Sequence, residues 1–110
     1  MTSDMALTRS FNDLVQRRAK YDGKFATALL CEAINTMLTG DVEVGKATLR
    51  DYIKATVGFE KLGAAIDTPP KSLIRMFRPT GNPQARNVFG VIGYLQKQAG
   101  IELHVIPHVR

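Results

Sequence analysis

Tryptophan is absent from this 110-residue chain, and aromatic residues make up only 7 % of it. Any core is therefore mainly aliphatic. Cys31 is the one cysteine, which excludes an intrachain disulfide and suits a reducing compartment. No apolar run is long enough to span a bilayer. Met1–Leu7 lacks the basic head and apolar stretch of a secretory signal. The expectation is a cytoplasmic chain with no membrane partner. Catalytic patterns are missing as well. Ser72 has no histidine near it in sequence, and there is neither a nucleophile elbow nor a glycine-rich phosphate loop. His104 and His108 are separated by Pro107 and lack a second cysteine or an acidic cluster beside them. No catalytic residue, cofactor or metal ligand is assigned, and an enzyme is not expected.

Acidic residues are scarce in the last third. Residues 69–110 carry Lys71, Arg75, Arg78, Arg86, Lys97 and Arg110 against Glu102 alone, a net charge of +5. Residues 1–40 are nearly balanced, with Arg9, Arg17, Arg18, Lys20 and Lys24 against Asp4, Asp13, Asp22 and Glu32. The whole-chain charge is +5, so the excess lies at one end. A one-sided basic surface attracts polyanions at long range.

Apolar residues make up 45 % of the chain, enough for a real core. Ser10, with Asp13 three residues on, reads as a helix start. That helix runs to about Tyr21, with Phe11, Leu14 and Val15 on one side. Asp22 caps a second helix, roughly 23–39, with Phe25, Leu29, Ala33 and Met37 in one row and Leu30, Ile34 and Leu38 beside it. Cys31 is expected in the core beside this stripe. Gly40 ends the helix and Asp41 starts a third, to about Thr56, with Leu49, Tyr52 and Ile53 inward. Lys46, Arg50 and Lys54 at spacing four read as a solvated face. A short helix over 59–66 is broken by Asp67-Thr68-Pro69-Pro70. Pro69 or Pro70 then opens another over 71–77, stopped by Pro79. Asn82-Pro83 reads as N-cap and first helical residue of a long helix to about Ala99, ended by Gly100. Gly90 and Gly93 within it read as a site of close helix packing or as a kink. Ile101–Val105 alternates apolar and polar residues, the pattern of a short C-terminal strand, which needs a partner from a second subunit.

The segment from Phe59 to Phe77 carries the functional signal. Leu62, Ile66, Leu73, Met76 and Phe77 are placed to pack two short helices on each other, and Gly63 lets the second approach the first. A helix-turn-helix requires this arrangement. The second helix would expose Lys71, Ser72, Arg75 and Arg78, with Lys71 and Arg75 on one face. Arg and Lys reach guanine acceptors in the major groove, and Ser bonds a base edge or a phosphate. The competing reading is an ordinary helical hairpin with a solvated basic face. Arg17-Arg18-Lys20 reads mainly as a solvated helix end.

At these residues the chain resembles a known family. Phe59-Glu60-Lys61-Leu62-Gly63, Lys71-Ser72-Leu73-Ile74-Arg75-Met76-Phe77 and Gly81-Asn82-Pro83 look like the addiction-module antidote proteins, HigA-like antitoxins with an XRE (phage-repressor-type) helix-turn-helix. The resemblance extends from about residue 8 to 105, through Leu38-Thr39-Gly40-Asp41 and Gly100-Ile101-Glu102-Leu103. It implies an all-helical repressor of its own operon, the antitoxin of a type II toxin–antitoxin pair. The implied partners are a double-stranded DNA operator and a RelE-like toxin. The positions it places on DNA are Pro70, Lys71, Ser72 and Arg75. The chain departs from the family at Phe59, where Gln is common, at Asp67, where Gly is usual, and at Pro69-Pro70, which replace polar residues. Base reading would fall mainly on Lys71 and Arg75.

The reading is thus an all-α protein: an N-terminal helical extension over residues 1–40, then a phage-repressor-like helix-turn-helix domain with a long C-terminal helix over 41–106. It would act as a homodimer on a palindromic site. The rival reading is a protein-interaction module that uses the helix-turn-helix only as scaffold.

Overall fold

The computed structural model describes the backbone of residues 2–110 and the side chains of residues 12–110. Six helices follow in order: α1 (Thr2–Tyr21), α2 (Gly23–Leu38), α3 (Val42–Ala55), α4 (Phe59–Ala65), α5 (Pro70–Met76) and α6 (Ala85–Ala99). There is no strand among the described residues, so the architecture is all-α.

The caps read from the sequence at Asp22 and Asp41 form. One Asp22 carboxylate oxygen accepts from the backbone N–H groups of Lys24 and Phe25, each at 3.1 Å. Asp41 accepts from Val44 N–H at 3.3 Å. Each satisfies amides that have no partner inside the helix. The cap expected at Ser10 does not mark a helix start, because α1 begins at Thr2 and Ser10 lies inside it. The inward position expected for Phe11 falls outside the described side chains.

α3 lies at the centre. It packs on α1 and along α2, and its Leu49, Tyr52 and Ile53 are buried as their spacing predicted. The α2–α3 approach is close where Ala33 faces Gly45: a β-carbon on Gly45 would overlap Met37 Cγ and stand 2.8 Å from the Ala33 carbonyl oxygen. Gln16 on α1 donates to Asp51 Oδ1 on α3 at 3.1 Å, and both residues are largely shielded from water. One apolar cluster joins Leu30 and Ala33 of α2, Leu49 and Ile53 of α3, Leu62 of α4, Leu73 of α5, Phe77, and Val91 and Leu95 of α6.

Several expected positions differ. Leu14 and Leu38 are exposed; their rows are wider than the surface the neighbouring helices cover. Cys31 is half-buried rather than in the core. Lys46 and Arg50, read as a solvated face, are turned into the structure; only Lys54 of that row is exposed. α6 begins at Ala85 with Gln84 as its N-cap, not at Asn82-Pro83, and no side chain caps it. Among the described residues no atom lies within 4 Å of a would-be β-carbon at Gly90 or Gly93, so neither serves a close contact there. The C-terminal strand does not form: residues 101–105 lack a ladder partner. Gln96 of α6 holds their start instead, its Oε1 accepting from Leu103 N–H at 2.7 Å. Among the described residues no helix is long and apolar enough to cross a membrane.

Candidate nucleic-acid interface

Between α4 and α5 the chain reverses in four residues. Asp67 has φ +55°, in the left-handed region that Asp tolerates better than most side chains. Thr68 N–H donates to the Gly63 carbonyl at 2.9 Å, closing the turn back onto α4. Gly63 is buried, and a β-carbon there would stand 2.5 Å from the Thr68 carbonyl oxygen and 3.3 Å from Pro70 Cδ. Only a residue without a side chain allows this approach. Pro69 is the N-cap of α5 and Pro70 its first residue, where a missing N–H costs no helical hydrogen bond.

The inner face of α5 is Leu73, continued by Phe77 just beyond the helix; both are buried. Phe77 meets the ring of Phe59, the first residue of α4, with centroids 6.1 Å apart. Phe59 is thus half-buried as packing between the two short helices. Ile66 and Met76 complete the contact as partly buried neighbours. The five residues picked for this packing (Leu62, Ile66, Leu73, Met76, Phe77) all join it.

The outer face of α5 carries Lys71, Ile74 and Arg75, all exposed, and Arg78 follows directly after it. Among the described residues no carboxylate lies within ion-pair distance of Lys71, Arg75 or Arg78; the ion pairs that do form are Arg18–Asp22 and Lys46–Glu43, with a further close contact between His104 and Glu102. The candidate residues thus divide. Lys71, Arg75 and Arg78 sit together as solvent-facing cations. Pro70 and Ser72 are half-buried, Pro70 against Gly63. The Ser72 N–H is taken by the Pro69 carbonyl at 3.0 Å.

The chain that leaves α5 is held from behind by α3. Lys46, only 4 % exposed, donates from Nζ to the Gly81 carbonyl at 2.6 Å. Arg50 Nη1 donates to the Phe77 carbonyl at 3.5 Å, while its buried Nε has no hydrogen-bond partner among the described residues. Glu43 stands 3.7 Å from Lys46 Nζ. Two cations therefore face the carbonyl-rich end of α5, where positive charge is favourable. Spacing could have flagged Lys46: it lies three residues before Leu49 and seven before Ile53, inside the apolar stripe of α3.

Among the described residues no group of three or more His, Cys, Asp or Glu side chains is placed to hold a metal ion. His104 Nε2 lies 2.9 Å from Glu102 Oε1 in the exposed tail. No family model, no curated protein and no solved structure matches this chain.

Proposed function

We propose that this protein is a sequence-specific DNA-binding repressor in which α4 and α5 form a helix-turn-helix with α5 as the recognition helix. The observation that carries this reading is the cluster Lys71, Arg75 and Arg78. These three cations lack carboxylate partners among the described residues; Lys71 and Arg75 stand on the open side of a seven-residue helix, and Arg78 lies in the turn just beyond its C-cap. Its other side is fixed by Leu73, Phe77 and the Gly63 contact. A basic surface on a rigidly held short helix suits insertion into the major groove. Unpaired surface cations also suit counterion release from phosphate. In this reading Lys71 and Arg75 reach base edges and Arg78 meets a phosphate, with Pro70 and Ser72 shaping the helix start.

The resemblance to addiction-module antidotes extends the proposal: a cytoplasmic antitoxin that binds its own operator as a homodimer and also binds a RelE-like toxin. The two N-terminal helices, near neutral in charge, are assigned to the toxin. The test is binding of the purified protein to a duplex carrying its own promoter, by electrophoretic shift over a range of salt. Preference for that duplex over a scrambled one supports the reading. Equal, weak binding to both overturns it.

A second reading, an interaction module in which this helix pair is only scaffold, draws on exposed apolar side chains away from α5. Leu38, Val42 and Phe89 line one groove together with Ile34, Met37 and Val88. A stable complex with a neighbouring-gene product, without DNA affinity, would favour it.

A further inference from the structure

Lys46 is a buried ammonium group in the stripe of α3 that also holds Leu49 and Ile53. A lysine is rarely placed there without a partner. Its hydrogen-bond acceptor is the backbone carbonyl of Gly81, 35 residues away in sequence, while the exposed Glu43 carboxylate stands farther off, 3.7 Å from the ammonium. Gly81 in turn lies directly over the end of α5. A β-carbon there would overlap the Arg75 carbonyl oxygen and stand 2.5 Å from that of Met76. Gly81 N–H donates to the Arg78 carbonyl at 2.9 Å, and Arg78 N–H to that of Arg75 at 3.3 Å. A continuous set of contacts thus runs from α3 through Lys46 and Gly81 to the backbone of Arg75 and Arg78, two of the three exposed cations.

We propose that Lys46 is a positioning residue for DNA recognition: through Gly81 it locks the turn after α5, and with it the direction in which Arg75 and Arg78 leave the surface. The proposal rests on the DNA-binding reading above. Lys46 itself cannot touch a nucleic acid, because it is enclosed on the inner side of that turn. Its effect is on aim rather than on charge. Phosphate attraction tolerates a loosely held cation, whereas a bidentate base contact requires a fixed direction. Losing the lock therefore removes discrimination before it removes binding. Arg50 offers only a longer contact to Phe77 and does not replace a charge-assisted bond of 2.6 Å.

The test compares the full-length wild type, Lys46→Met and Gly81→Ala. Methionine keeps the unbranched stem and removes the ammonium. Gly81→Ala keeps Lys46 and displaces the turn sterically, so it serves if Lys46→Met does not fold. With a duplex of the protein's own promoter and a scrambled duplex, both variants should lose about tenfold or more in preference. Affinity for the scrambled duplex and the slope of log affinity against log salt should stay unchanged, because the phosphate-facing cations remain. Equal losses on both duplexes, or full discrimination in either folded variant, would overturn the proposal. Amide hydrogen exchange decides the lock without DNA: the amides of Phe77, Arg78 and Gly81 should exchange about tenfold faster in Lys46→Met, with those of α2 unchanged. Exchange that rises equally in α2 reports general loss of stability and counts against the lock, as does no change at Gly81. If wild type prefers neither duplex, the DNA reading fails, and the exchange result still decides whether Lys46 holds the turn.

Discussion

The same substitution, Gly→Ala, should have opposite effects at different points of this fold. In a helix interior, alanine is favoured over glycine by about 1 kcal/mol. At Gly63 that gain meets an obstacle. The new β-carbon would stand 2.5 Å from the Thr68 carbonyl oxygen, well inside contact distance. The obstacle is backbone, held in place by the hydrogen bond from Thr68 N–H to Gly63 and followed at once by the rigid Pro69-Pro70 pair. It cannot swing aside as a flexible side chain would. Relief requires α4 and α5 to separate, which opens the core to which Leu62 and Leu73 both belong. Overpacking of this kind costs about 1–3 kcal/mol, so the helix-propensity gain loses. With the helix-propensity gain set against it, Gly63→Ala should be destabilised by up to about 2 kcal/mol, lowering the melting temperature by about 4 °C per kcal/mol for a domain of this size. Gly90 and Gly93 lie in α6 with no atom within 4 Å of the added carbon. Alanine there should raise stability by up to about 1 kcal/mol. Urea denaturation followed by circular dichroism, with unchanged slope, gives all three values. A Gly63→Ala variant stabilised as much as Gly90→Ala or Gly93→Ala would refute the close approach of α5 to α4, and with it the fixed geometry of the basic face.

Further outcomes follow from other contacts. Asp22→Ala removes the cap of α2 and should cost about 1 kcal/mol in the same urea experiment. Phe77→Ala should cost about 3–5 kcal/mol, because its ring is fully enclosed between α4 and the core; a loss below 1 kcal/mol would contradict that placement. Burial pushes the Tyr52 phenol above its usual value of 10.0, more than its hydrogen-bonded neighbour Thr56 lowers it. A raised folded-state pKa means the neutral form is favoured by folding. The stability associated with it is intact below pH 10 and declines as pH rises from there through the folded value. Ultraviolet titration should show one late phenol, absent in Tyr52→Phe, and the alkaline loss of stability should shrink with it. Sedimentation should give twice the 12.1 kDa chain mass; a monomer both free and on DNA would contradict the proposed dimer.

Much of the α4–turn–α5 segment was legible because its signals are local. Asp67 tolerates a positive φ, proline fits the first turn of a helix, and Leu62, Leu73 and Phe77 repeat at helical spacing. The Asp22 and Asp41 caps were legible for the same reason. What escaped depends on distant chain. The spacing of Lys46 from Leu49 and Ile53 points to burial, yet a lysine there normally extends its stem to water; its acceptor, Gly81, is fixed only by the tertiary fold. The start of α6 also lies later than Asn82-Pro83 suggests. Gly81 is tied over α5, and Asn82, Pro83 and Gln84 stay outside the helix before it begins. Leu14 and Leu38 show that periodicity defines a face but not how much of it a neighbour covers. The alternation over 101–105 is a strand pattern without a strand, since a single chain offers no second edge.

The most direct test of the central claim is the salt dependence of promoter binding in wild type, Arg75→Ala and Arg78→Ala. The account predicts that Arg75→Ala loses about 1–3 kcal/mol of promoter affinity and relaxes preference at one base pair, with most of the salt slope retained. It predicts that Arg78→Ala weakens promoter and scrambled duplexes alike and reduces the slope by about one. Binding without sequence preference in wild type, or unchanged base discrimination in Arg75→Ala, would contradict the assignment of α5 as the helix that reads DNA.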